Sequence, residues 1–152
     1  MRVKVFGVLV FALLSLGLAT GAARAQSGSL GEGGGLTLVS DIPFGFIVEN
    51  TTLPAGKYEL MQSADDPLVW TLADVKGAVK VIFMTEPAEK MNPPRSYELT
   101  FDEGGGKYFL GDIWLASDAD GFHIAMTKAQ KAFLKGTVNP RKERVPLKKK
   151  GM

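Results

Sequence analysis

From Leu36 onward, apolar and polar positions alternate in short runs separated by Gly, Pro, Asn and Asp. A period of two with frequent turn residues predicts strands. Phe44, Phe46 and Val48 share one face, and Tyr58 and Leu60 resume the pattern beyond a turn. Tyr97, Leu99 and Phe101 alternate with Glu98, Thr100 and Asp102, the pattern of a strand with one dry and one wet face. Two hairpins are placed by their turns. Leu68 to Ala73 and Ala78 to Met84 flank Asp74-Val75-Lys76-Gly77, while Tyr97 to Phe101 and Lys107 to Leu115 flank Asp102-Glu103-Gly104-Gly105-Gly106. Glu86 to Arg95 contains three prolines and reads as a loop crossing between sheets or around an edge. A further strand is expected from Phe122 to Met126. Thr127 then caps a short helix in which Ala129, Ala132 and Phe133 share a face, with Gly136 and Pro140 ending it.

About seven strands with closely spaced turns predict an all-β fold, a small antiparallel sandwich or partly open barrel with a short C-terminal helix. Two segments are apolar on both faces: Ile82 and Met84 lie opposite Val81 and Phe83, and Phe109, Ile113 and Leu115 lie opposite Tyr108 and Trp114. Such strands are either central and covered twice or leave one face free for recognition. Burial is the commoner fate of these side chains, so coverage is the expectation for both.

The stretch Pro43 to Leu60, PFGFIVENTTLPAGKYEL, reads as architecture rather than chemistry. Pro54 fixes φ and donates no ladder hydrogen bond, and Gly56 can adopt angles closed to other residues. Together they are expected to end one strand at Thr52 and begin the next at Lys57. Asn50-Thr51-Thr52 matches a glycosylation sequon but reads as a backbone turn.

The two ends change the picture. Arg2 and Lys4, the apolar run Val5 to Leu18 and Ala23-Arg24-Ala25 make residues 1–25 a signal peptide, with the mature chain beginning at Gln26. The apolar run is shorter than the roughly 20 residues of a spanning helix, so a retained anchor is disfavoured and no transmembrane span is expected in the mature form. Residues 26–35, QSGSLGEGGG, form a flexible glycine-rich leader, residues 36–138 the β domain, and residues 139–152 a basic, disordered tail. The chain has no cysteine, which excludes disulfides, lipid attachment at a lipobox and thiolate catalysis. A net charge of +2 hides an asymmetry: residues 26–138 carry nine basic against fifteen acidic residues, whereas beyond Asn139 six basic residues face Glu143 alone.

Ile42-Pro43-Phe44-Gly45-Phe46-Ile47-Val48, then Leu53-Pro54-Ala55-Gly56-Lys57-Tyr58, then Tyr108-Phe109-Leu110 leading to Trp114 resemble the pattern of an uncharacterised group of small secreted bacterial β-proteins. In that group a VPF-x-F-x-V run, an LPAG-x-Y turn and a YFL-x-x-x-W segment recur. The resemblance spans about Leu36 to Lys131 and implies a secreted β domain and no activity. The basic tail departs from the group's pattern.

Chemistry is mostly excluded. His123 is the sole histidine, which removes multi-histidine metal sites, and no Ser lies in a G-x-S-x-G elbow. His123 reads as an ordinary strand residue. Glu103 to Lys107 lacks phosphate-loop spacing and lies in a hairpin. An EF-hand register from Asp118 puts His123 at its sixth position and Ala129 at its twelfth, and fails; a looser oxygen site would need Asp112, Asp118 and Asp120 together. No cofactor is expected.

An outer-membrane barrel is disfavoured by short, punctuated strands. The expected function is a non-enzymatic binding or structural module of the cell envelope, periplasmic or extracellular; the alternative is a small carboxylate-dependent hydrolase acting on polysaccharide. Arg141, Lys142, Arg144, Lys148, Lys149 and Lys150 are the candidate contacts to an anionic surface. They could equally be a solvated end, or fold back on the acidic body. An envelope protein is the other expected partner. Nucleic acid is not expected, because the chain is exported.

Overall fold

The computed structural model describes residues 35–151, so the expected signal peptide and residues 26–34 of the leader lie outside the described residues. The strands are β1 (Thr37–Ile42), β2 (Phe46–Val48), β3 (Thr51–Leu53), β4 (Gly56–Gln62), β5 (Val69–Asp74), β6 (Val79–Met84), β7 (Glu86–Glu89), β8 (Glu98–Gly104), β9 (Lys107–Trp114) and β10 (Asp120–His123). Helix α1 (Lys128–Lys135) follows, then β11 (Arg141–Pro146) and β12 (Lys148–Lys149). One sheet has the order β12-β1-β4-β5-β6 and the other β11-β8-β9-β10-β7, with β2 bridging β9 in parallel and pairing with β3. Both sheets are open, so the fold is an all-β sandwich and not a closed barrel. The count of about seven strands was too low, because several strands are only two to four residues long and carry no legible alternation.

Both predicted hairpins form, as β5–β6 and β8–β9. In the first, Gly77 takes φ +85° and the Asp74 carboxylate accepts from the backbone N–H groups of Lys76 and Ala78. In the second, β8 runs on to Gly104, leaving only Gly105 and Gly106, at φ +56° and +76°, in the turn. The chain changes sheets at Thr85, before the proline-rich segment; that segment runs from β7 to β8 within one sheet, and it is not all loop. Its first four residues form β7, an edge strand paired with β10, where the missing N–H of Pro87 costs no central ladder bond. Thr127 caps α1 through a capping box with Gln130, and Gly136 ends it.

The Leu-Pro-Ala-Gly turn carries the chain from β3 in one sheet to β4 in the other. It is held by the Tyr58 hydroxyl, which donates to the Pro54 carbonyl at 2.6 Å. Gly56 does not use positive φ; that conformation falls earlier, at Glu49 (φ +51°), in the tight β2–β3 turn formed with Asn50. Around this crossing the aromatic residues of separate sequence motifs meet. Phe44 stacks on Tyr108 at 3.8 Å, Phe46 lies edge-on to Tyr58 at 5.3 Å, and Phe44 and Phe46 both pack edge-on against Phe101.

The C-terminal segment is not a disordered tail. Residues 141–146 pair with β8 from Glu103 back to Glu98, and Lys148 and Lys149 pair with β1 in the other sheet. Val145 and Leu147, two apolar residues at strand spacing inside the charge run, are buried in the core. Ser40 donates its hydroxyl to the Pro146 carbonyl at 3.0 Å where the segment crosses. A run of cations reads as solvated, but the burial of two inward side chains together with ladder pairing to β8 and β1 orders the backbone.

The expectation of double coverage holds for β9 and fails for β6. β9 lies between β8 and β10, with Phe109, Leu110, Ile113 and Trp114 all buried. β6 is an edge strand whose Phe83 points into the core, leaving Ile82 61% and Met84 64% exposed. Edge position, which no local pattern records, decides the difference.

Leu147→Ala should lower unfolding free energy by about 2–4 kcal/mol in urea titration, the usual cost of a cavity in a packed core. Lys149→Gln, on the same segment but exposed, should change it by less than about 0.5 kcal/mol. Equal small effects would return the segment to the solvated reading.

Candidate functional site

Strand alternation turns Leu99, Phe101, Ile113 and Val145 into the core, so the intervening residues of the same strands face outward. The register then brings together five polar groups from four neighbouring strands, two of them from β8. Thr100 on β8 lies opposite Asp112 on β9, Asp112 opposite His123 on β10, and Asp102 on β8 opposite Lys142 on β11. The Thr100 hydroxyl donates to Asp112 Oδ2 at 2.6 Å, and His123 Nδ1 lies 2.7 Å from Asp112 Oδ1. Lys142 Nζ bridges Asp112 Oδ2 at 3.3 Å and Asp102 Oδ1 at 3.4 Å. The face expected to be wet is therefore partly covered: Thr100 and Asp112 are buried beneath their partners.

Electrostatics keep Asp112 and Lys142 ionised. Burial pushes the Asp112 carboxyl up, but the Thr100 and His123 hydrogen bonds and the Lys142 charge outweigh it and hold the group below its ordinary value. Burial likewise pulls Lys142 down, and the Asp112 and Asp102 carboxylates outweigh it and raise the ammonium above its ordinary value. With Asp112 ionised, the proton between it and His123 belongs on Nδ1, and Nε2 lies on a side chain 39% exposed. The cluster fixes the orientation of an imidazole.

It has no nucleophile to activate, because the Thr100 hydroxyl is buried and already donates to the same carboxylate. Asp112 also moves in the opposite direction to the acid of a carboxylate-dependent hydrolase, whose pKa must rise. Asp118 accepts from the backbone N–H of Asp120 in its own turn, and the described residues gather no group of three His, Cys, Asp or Glu suited to a metal ion.

The six candidate cations divide into two sets. Arg141 pairs with Glu103 at 3.2 Å, Lys142 with the cluster above, and Lys150 with Glu59 at 2.8 Å. These three fold back on the acidic body. Arg144, Lys148 and Lys149 have no acidic partner within ion-pair distance among the described residues. His123 reads in the sequence as an ordinary strand residue, and its pairing with Asp112 depends on register across β9 and β10, which nothing local encodes. Among the described residues no helix is long and apolar enough to cross a membrane.

The signs of the two shifts set opposite pH limits. Asp112, depressed on folding, contributes stability that is complete above its unfolded value near pH 4 and lost as pH falls through the folded one. Lys142, raised on folding, contributes stability that is complete below its unfolded value near pH 10 and lost as pH rises through the folded one. Asp112→Asn should cost about 2 kcal/mol at pH 7 and flatten the acid limb, while Lys142→Gln should flatten the alkaline limb, both read from urea midpoints across pH. Comparisons of the chain with protein-family models, with curated proteins and with solved structures give no match, so the chemistry of this face is read from its geometry.

Proposed function

We propose that this chain is an exported, non-enzymatic binding or structural module of the cell envelope that meets its partner through the free edge and outer face of β6. The exposure of Ile82 and Met84 on an edge strand carries this reading. The Thr85 N–H bonds to the Leu68 carbonyl, so by alternation Phe83 and Val81 bond toward β5, and the backbone groups of Ile82 and Met84 face the open edge. Natural edge strands are commonly blunted by charge, proline or short length. β6 has six residues, no proline and one charge, Lys80, which is tied to Asp74 at 3.0 Å. Such an edge suits addition of an extended segment from a partner, with the side chains of Ile82 and Met84 giving the contact its apolar component.

Arg144, Lys148 and Lys149 supply attraction toward an anionic surface. β12 and β6 are the opposite edges of one sheet, so Lys148 and Lys149 act apart from the apolar edge. The signal-peptide pattern of residues 1–25 and the resemblance to small secreted β-proteins support export.

The double variant Ile82→Glu/Met84→Glu tests the edge. The chain from Gln26 should cosediment with native envelope fractions, and the variant should lose at least about tenfold in retention while its thermal midpoint stays within a few degrees, because both side chains are exposed. Undiminished retention would remove β6 from the reading. For export, the intact mass of protein recovered outside the cytoplasm should correspond to a chain starting at Gln26, and a chain retaining Met1 would count against it.

A further inference from the structure

A second surface lies on the other sheet. Residues 90–95 form a loop pinned at both ends: the Lys90 N–H donates to the Ala119 carbonyl at 2.8 Å, and the Ser117 N–H donates to the Pro94 carbonyl at 2.7 Å. Lys90 Nζ pairs with Glu98 at 2.9 Å and sits 4.7 Å from the centre of the Trp114 ring. Between this loop, β8 and β11 lies a groove of about 440 Å³, lined by Lys90, Arg95, Glu98, Arg144 and the rim residues Met91, Pro93 and Pro94. Three cations therefore face one carboxylate. Arg95 and Arg144 have no acidic partner within ion-pair distance among the described residues.

We propose that this groove binds a phosphate monoester, with Arg95 and Arg144 as its two guanidinium ligands. The charge surplus of the lining selects the ligand: a phosphate monoester near neutral pH carries close to two negative charges, matching two guanidiniums left over once Glu98 is neutralised by Lys90. Guanidinium forks suit phosphate oxygens geometrically, and the pinned loop holds its end of the site in place before the ligand arrives. Met91, 98% exposed on the rim, would lie against the organic part of the ester. The ester is either a soluble phosphorylated compound or the headgroup of a lipid. The proposal deepens the reading of an anionic envelope target, because it gives Arg144 a specific role that Lys148 and Lys149 do not share.

The test uses the chain from Gln26 with two probes: glycerol 3-phosphate followed by calorimetry, and phosphatidylcholine vesicles with and without phosphatidic acid followed by cosedimentation. Arg95→Lys/Arg144→Lys keeps the charge and removes the forks, and should weaken binding at least about tenfold if bidentate contacts hold the ligand. Lys76→Gln/Lys131→Gln, at two exposed lysines outside the groove, should leave the affinity within about twofold. Binding of both probes supports the site and a lipid source; binding of glycerol 3-phosphate alone supports the site with a soluble source. Binding of neither probe overturns the proposal. So does binding that the arginine-to-lysine variant retains, or that falls with Lys76 and Lys131 instead, since either result describes diffuse attraction. Retention on envelope fractions that depends on Ile82 and Met84 while the groove fails these tests would leave the β6 reading standing by itself.

Discussion

Phe46 belongs to one sheet and packs edge-on against Tyr58 of the other, so the aromatic cluster around it is where the two layers of the sandwich are fastened. A chain without cysteine must hold its layers together by burial alone. The cluster does this at the point where the backbone itself changes sheets, through the Leu-Pro-Ala-Gly turn that Tyr58 latches to the Pro54 carbonyl. Phe101 and Tyr108, from the two strands of one hairpin, complete the contact through Phe44 and Phe46. Aromatic residues that are far apart in the chain, and that could pass for a ligand-binding set, are thereby accounted for as core.

A second crossing works with the first. The C-terminal segment leaves β11 on one sheet and enters β12 on the other, and Val145 and Leu147 are buried on the way. Its charges are shaped by that role. Arg141, Lys142 and Lys150 neutralise acids of the domain beneath them, which explains how a body with an excess of negative charge is balanced by an end with an excess of positive charge. Arg144, Lys148 and Lys149 are left without an acidic partner within ion-pair distance among the described residues.

The two proposed contacts have different physical characters and different supports. β6 offers an unpaired ladder and exposed apolar side chains, a surface suited to an extended chain. The groove beside Arg95 and Arg144 offers charge on a pinned loop, a surface suited to a small anion. Between the strands of that second sheet, Asp112 is held ionised by three neighbours, which fastens β8, β9, β10 and β11 to one another across their outer face. That cluster binds strands together and lacks the nucleophile that catalysis by a His–Asp pair requires.

The sequence by itself determined the strand class, the two hairpins, the capped helix and the structural character of the Leu-Pro-Ala-Gly turn, because each depends on residues within a few positions of one another. It also contained, unread, the Val145 and Leu147 spacing that orders the C-terminal segment. Tertiary structure decided the rest. Whether an apolar strand is covered twice, as β9 is, or left open, as β6 is, depends on its place in the sheet order. Whether a lysine is free or spoken for depends on which acid the register sets opposite it, as with Lys142 and Asp102. Both are long-range pairings, and a period-two pattern records only which side of a strand is dry, never which strand lies beside it.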